Sequence, residues 1–197
     1  MTRIYYITHP QIQLDPDVPV PDWRLSALGR ARTHAMLAQP WIRSLTRLVA
    51  SAERKAIEAA DILTAHLGLE LELRPAMHEN DRSATGYLPP DEFELVADLF
   101  FANPTQSVRG WERAIDAQHR IVSEVEDILA MPTSGNIALI GHGGVGTLLM
   151  LALAGEAISR AADQPDGGGN YFAFDQTTRK LLHRWTAIDV IEVGDAF

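Results

Sequence analysis

Ile137-Ala-Leu-Ile-Gly-His-Gly-Gly-Val-Gly146 decides how this chain is read. The run Ile137 to Ile140 is wholly apolar and bounded by the turn residues Gly135 and Gly141, as a strand buried inside a parallel sheet would be. The glycines beyond it lead into an apolar segment, Thr147 to Ala154, with the composition of a buried helix. Gly141 to Gly146 also satisfies G-x-G-x-x-G, the formal signature of a dinucleotide-binding turn. Such a site needs a further strand ending in an acidic residue about twenty positions on. Here that region is Ser159-Arg-Ala-Ala-Asp-Gln-Pro-Asp-Gly167, a loop by composition, and only about fifty residues follow the motif. The dinucleotide reading therefore fails. What remains is His142 at the carboxyl end of a parallel strand, where open α/β sheets bind their ligands.

The same strand-then-loop pattern recurs outward from this segment. Ile4 to Ile7 is a short apolar strand ending at Thr8-His9-Pro10, followed by a loop rich in Pro and Asp. Ser26 is placed to cap a helix running towards Gln39, which Pro40 ends. Arg47 to Ala50 forms a second strand. Ser51 is expected to cap a helix from about 52 to 67, with Gly68 as its stop. Leu69 to Leu73 alternates like a half-exposed strand. A polar loop spans 74 to 90, and helices are expected over 91–101 and 110–130. Tyr171 to Phe174 and Leu181 to Trp185 read as a hairpin. Strands alternating with helices predict a three-layer α/β/α fold around a mostly parallel sheet, with residues 1–197 as a single domain.

Bulk properties narrow the function. The net charge of −9 opposes general binding to nucleic acid, which needs a basic face. No apolar run is long enough to span a membrane, and the first residues lack the pattern of a secretion signal, so the expected address is the cytoplasm. With no cysteine, thiolate chemistry and Cys-based zinc sites are excluded. An anionic ligand would be repelled by the chain as a whole, so a site for one must concentrate positive charge locally.

Three strand ends offer the residues for such a site. His9 follows the first strand, Ser51 to Arg54 the second, and His142 the strand 137–140; if those strands are neighbours, two imidazoles and a guanidinium converge. Arg54 falls in the first turn of its expected helix, where a cation opposes the dipole unless an anion binds in front of it. His34, His66, His119 and His183 have no partner pattern and read as structural or surface residues. A metal site from His9, His78, Glu79 and Asp81 lacks helical ligand spacing, so no metal or other cofactor is expected.

In order and spacing, the strand-His start, Leu25-Ser-Ala-Leu-Gly-Arg-Ala-Arg32, Ser51-Ala-Glu-Arg54 and Gly141-His-Gly143 resemble the histidine phosphatase, or phosphoglycerate mutase-like, superfamily over residues 3 to about 185. The resemblance implies a phosphoglycerate mutase-like fold and hydrolysis of a small phosphomonoester through a phosphohistidine. It implies His9 as nucleophile, Arg54 as phosphate clamp and His142 as the second phosphate-pocket histidine. Glu79 is the implied proton donor, with Asp81 in reserve. One departure stands out: the family's first motif is Arg-His-Gly, and here it is Thr8-His9-Pro10. A threonine supplies one neutral donor where the arginine supplies a charged fork. Arg82 is the first choice to reach into the pocket instead. The altered motif also opens a second reading, a catalytically silent relative that binds a phosphorylated ligand or a protein partner. Oligomeric state is not legible.

Overall fold

A computed structural model describes residues 2–191; Met1 and residues 192–197 of the expected 1–197 unit lie outside the described residues. The strands are β1 (Arg3–Thr8), β2 (Leu45–Ser51), β3 (Leu71–Arg74), β4 (Asn136–Gly141), β5 (Asn170–Asp175) and β6 (Leu181–Ala187). The helices are α1 (Ala27–Met36), α2 (Arg54–Leu67), α3 (Pro90–Ala102), α4 (Ala114–Ala130) and α5 (Gly143–Ala154). One six-stranded sheet runs β3-β2-β4-β1-β5-β6. β1, β2, β3 and β4 are parallel, and the hairpin β5–β6 joins β1 antiparallel. The fold is α/β with a mostly parallel sheet.

Alternate strand residues face opposite sides, and each side is covered. Ile4, Tyr6, Val49, Ile137, Leu139 and Phe172 pack against buried residues of α3, α4 and α5. Tyr5, Ile7, Leu48, Ala50, Ala138 and Ile140 pack against α1 and α2. β4 is buried on both faces, which is why its sequence is continuously apolar.

Local chemistry explains the boundaries. Ser26 caps α1, its side chain accepting from the N–H of Gly29. Gly68 ends α2 at φ 68°, a left-handed conformation that glycine adopts without strain. Ser51, expected to cap α2, is instead the last residue of β2, and Glu53 is the N-cap. α5 begins at Gly143, four residues earlier than its apolar run suggests.

Candidate active site

The topology makes β2, β4 and β1 consecutive neighbours, so their carboxyl ends lie side by side. Thr8 stands opposite Gly141 and Ala50 opposite Ile140. His9 extends the β1–β4 ladder by one bond, its N–H donating to the Gly141 carbonyl at 3.1 Å. His142 is the next residue and the N-cap of α5. The rings of His9 and His142 therefore face each other, with centroids 5.2 Å apart and planes at 72°. His34 and His66 are exposed on helices, as is His119, and His183 is half-buried on β6, all outside this cluster.

The His9 ring has a defined proton arrangement. Its Nδ1 lies 2.9 Å from the Pro10 carbonyl, and a carbonyl only accepts, so Nδ1 carries the proton. Burial, aided by the Lys55 ammonium, pushes the imidazole down to about 4, so the ring is neutral near pH 7. Nε2 is left with a lone pair.

His142 is fully buried. Its Nε2 lies 2.8 Å from Ser51 Oγ and 3.6 Å from Glu53 Oε1. Ser51 Oγ accepts from the Glu53 N–H at 3.3 Å, which frees the hydroxyl proton for Nε2. We therefore assign the ring proton of His142 to Nδ1, a buried atom without a hydrogen-bond partner. Burial lowers the pKa of His142 well below that of a free imidazole.

The later start of α2 changes which cation reaches the site. Arg54 does not join the histidines: its side chain is exposed and pairs with Glu58 one turn on. Lys55 takes the inward position, with 2% of its surface exposed, donating to the Val20 carbonyl at 2.9 Å and pairing with Glu53. Burial pushes the Glu53 carboxyl up, but His142 and Lys55 hold it down at about 2.

The segment after β3 supplies the opposite wall, fixed by Arg120, which donates to the carbonyls of Ala76, His78 and Glu79. Glu79 lies against the N-terminus of α5. Its Oε2 accepts from the Gly144 N–H at 3.1 Å, and its Oε1 from Val145 at 3.0 Å and Asn80 at 3.1 Å. A carboxylate there is charge-matched to the helix dipole. Asp81 is exposed and accepts from the Ser83 N–H at 2.8 Å. Arg82 turns inward, lying over the Phe93 ring at 4.8 Å, and its Nε is buried without a partner, as is Asn80 Nδ2. His9, Lys55, Asn80 and Arg82 all line one cavity of about 390 Å³. Lys55 and Arg82 balance Glu53 and Glu79 in charge around the two rings.

Thr8 is fully buried and contributes no donor to this cavity. Its hydroxyl donates to Gln164 Oε1 at 2.6 Å and accepts from the Asn170 N–H at 3.0 Å. The glycines of the 141–146 turn make room for side chains rather than for an external oxyanion. A Cβ on Gly141 would meet the Tyr6 hydroxyl at 2.4 Å, one on Gly143 would meet Gln164 Nε2 at 2.1 Å, and one on Gly144 would meet Glu79 Oε1 at 2.8 Å. Among the described residues there is no group of three or more His, Asp or Glu able to hold a metal ion, and no helix long and apolar enough to cross a membrane.

Sequence reasoning missed Lys55, Glu53 and Asn80. For Lys55 a signal existed: it shares a row with Ala59 and Leu63 at spacings of four, all buried, whereas Arg54 shares its row with Glu58. Asn80 carried no local signal.

No curated protein sequence matches the chain. Solved structures do. The mycobacterial glucosyl-3-phosphoglycerate phosphatase with inorganic phosphate superposes with a TM-score of 0.76 at 20% identity, covering 96% of this chain and 100% of that one. YhfR of Bacillus stearothermophilus gives 0.75 at 18% identity, with coverage of 96% and 98%. A phosphoserine phosphatase from Entamoeba histolytica with 3-phosphoglyceric acid gives 0.76 at 13% identity, with coverage of 96% and 100%. These likenesses establish the fold. The sequence model of the histidine phosphatase superfamily, branch 1, matches residues 8–183, and with most of the chain so covered, this protein belongs to the histidine phosphatase superfamily.

Proposed function

We propose that the protein hydrolyses a phosphomonoester, with His9 as the nucleophile. The observation that carries this reading is the His9 ring, neutral and held by its Nδ1–H on Pro10, beside a cavity with unpaired buried donors on Asn80 and Arg82. Such donors are rare in folded proteins unless something binds them. In the first step Nε2 attacks phosphorus, the phosphorus–oxygen ester bond breaks and the alcohol leaves, giving a phosphohistidine. Lys55, Arg82, Asn80 Nδ2 and His142 Nδ1–H stabilise the equatorial oxygens. Water then attacks phosphorus, giving its proton to the carboxylate that protonated the alcohol; the phosphorus–nitrogen bond breaks, and His9 and inorganic phosphate are returned.

Arg82 takes the place of the charged donor lost at Thr8. Glu79 holds α5 in register with the 76–80 segment. For the leaving-group proton we assign Asp163, which lines the same cavity and whose pKa burial raises. The second reading, a silent phosphate binder, draws on Thr8, whose hydroxyl is committed to Gln164 and Asn170.

Incubation with a phosphate-labelled phosphoester separates the two. Acid-labile label is expected on wild-type protein and absent from His9→Ala. Arg82→Ala should react slower by ~10²- to 10³-fold, the scale of deleting one oxyanion donor. Binding of inorganic phosphate without any label on His9 would establish the silent reading.

A further inference from the structure

Resting on the phosphatase reading, we infer that the substrate is an aryl or arylalkyl phosphomonoester, uncharged away from its phosphate, whose ring occupies a second cavity opening off the His9 pocket at Arg82. This second cavity measures about 240 Å³. It shares Ile12, Leu14, Arg82, Phe93 and Glu94 with the His9 cavity, so one molecule can occupy both. A dry apolar cavity of about 150 Å³ already holds benzene; the larger one here has room for a fused bicyclic ring.

The walls are built for flat apolar surface. Trp23 and Tyr87 meet edge to face at 6.1 Å. The indole N–H of Trp23 is spent on the carbonyls of Asp15 at 2.8 Å and Val18 at 3.0 Å, so the ring offers no free donor. Arg82 lies against Phe93 with its guanidinium carbon 4.8 Å from the ring centre. Its unpartnered Nε thus sits where phosphate and ring would join. At the mouth, Leu14 is 51% exposed, an apolar surface that a bound ring would cover. A sugar or glycerol would need several hydrogen-bonding side chains, whereas the polar ones here are Tyr87, Arg82, which faces the phosphate, and Glu94, already paired with Arg160.

Charge opposes the carboxylated alternatives. Among the described residues, the cations lining the His9 cavity are Lys55 and Arg82, which serve the phosphate, and Arg160, already paired with Glu94 and Asp98, while Glu94 and Asp166 add negative charge. A second anionic group on the substrate would meet this negative rim, within a chain of net charge −9.

Phosphonates test the idea without turnover. Methylphosphonate probes the anion pocket alone, naphthylmethylphosphonate adds the ring, and phosphonopropionate adds a carboxylate instead. By calorimetry the naphthyl ligand should bind roughly 10- to 100-fold tighter than methylphosphonate, as burying one large apolar group implies. That ratio should fall several-fold in Leu14→Ser, a surface change that leaves the core intact. Phosphonopropionate should bind no tighter than methylphosphonate. Equal affinities for the methyl and naphthyl ligands would overturn the aryl subsite while leaving the anion pocket standing. Phosphonopropionate as the tightest ligand would overturn it in favour of a carboxylated substrate. Binding of none of the three would remove the phosphatase reading, and this inference with it.

Discussion

Acidification should destabilise this protein through His9, and the effect can be isolated. A histidine whose pKa is lower in the folded than in the unfolded state binds its proton more readily when unfolded. Its contribution is therefore unchanged above the unfolded value, 6.5, and stability is lost as the pH falls from there towards about 4. At roughly 1.4 kcal/mol per pKa unit, the whole shift corresponds to about 3 kcal/mol, of which about 2 is lost by about pH 5. The cavity-facing edge of the ring is open to solvent, which trims the loss to about 1–2 kcal/mol. His9→Asn keeps an N–H donor for the Pro10 carbonyl and removes the titration. Urea unfolding of both proteins at about pH 7 and about pH 5 gives two losses, and wild type should lose about 1–2 kcal/mol more than the variant. Equal losses would show that burial does not hold His9 neutral, and the lone pair required on Nε2 would lose its physical basis.

Outcomes for four further variants follow from the placement of charges. Arg54→Ala should leave kcat/KM for a generic phosphoester within about two-fold, as expected for an exposed pair, whereas Lys55→Met should destabilise the fold by about 3–5 kcal/mol by leaving Glu53 buried without its partner; denaturation and steady-state kinetics on both variants check this, and a silent Lys55→Met would refute the inward assignment. Asp163→Asn should slow hydrolysis of an alkyl phosphate far more than that of a nitrophenyl phosphate, whose leaving group needs little protonation. Glu79→Gln should slow both substrates alike and lower stability by about 1 kcal/mol, the usual scale of a lost helix cap; selective loss on the alkyl substrate in Glu79→Gln would return the proton-donor role to Glu79.

The layered fold was legible because its signals are local. β4 announces burial on both faces by four consecutive apolar residues, and the β5–β6 hairpin shows an apolar run and a mixed, half-exposed one around polar turn residues. The convergence of His9 and His142 followed from strand ends alone once β1 and β4 were neighbours. The register of α2 was not legible, because Ser51 is a good N-cap by type yet is held in β2, where its hydroxyl meets His142. Each residue turns a helix by about 100°, so moving the start exchanges Arg54 for Lys55. Glu79 was named as the proton donor that the resemblance implies, but its bonds to Gly144 and Val145 were not legible, because those partners lie far along the chain and no local pattern encodes such a bond. Arg82 was named because the altered first motif leaves a missing positive charge, and the structure turns its side chain inward.

Lys55 is held by Glu53, whereas Arg82 keeps a buried Nε without a partner, so the two cations of the pocket are not equivalent. Under the proposed hydrolysis a phosphoryl oxygen would find Arg82 uncommitted and Lys55 already shared with a carboxylate, so the guanidinium rather than the ammonium would carry most of the recognition.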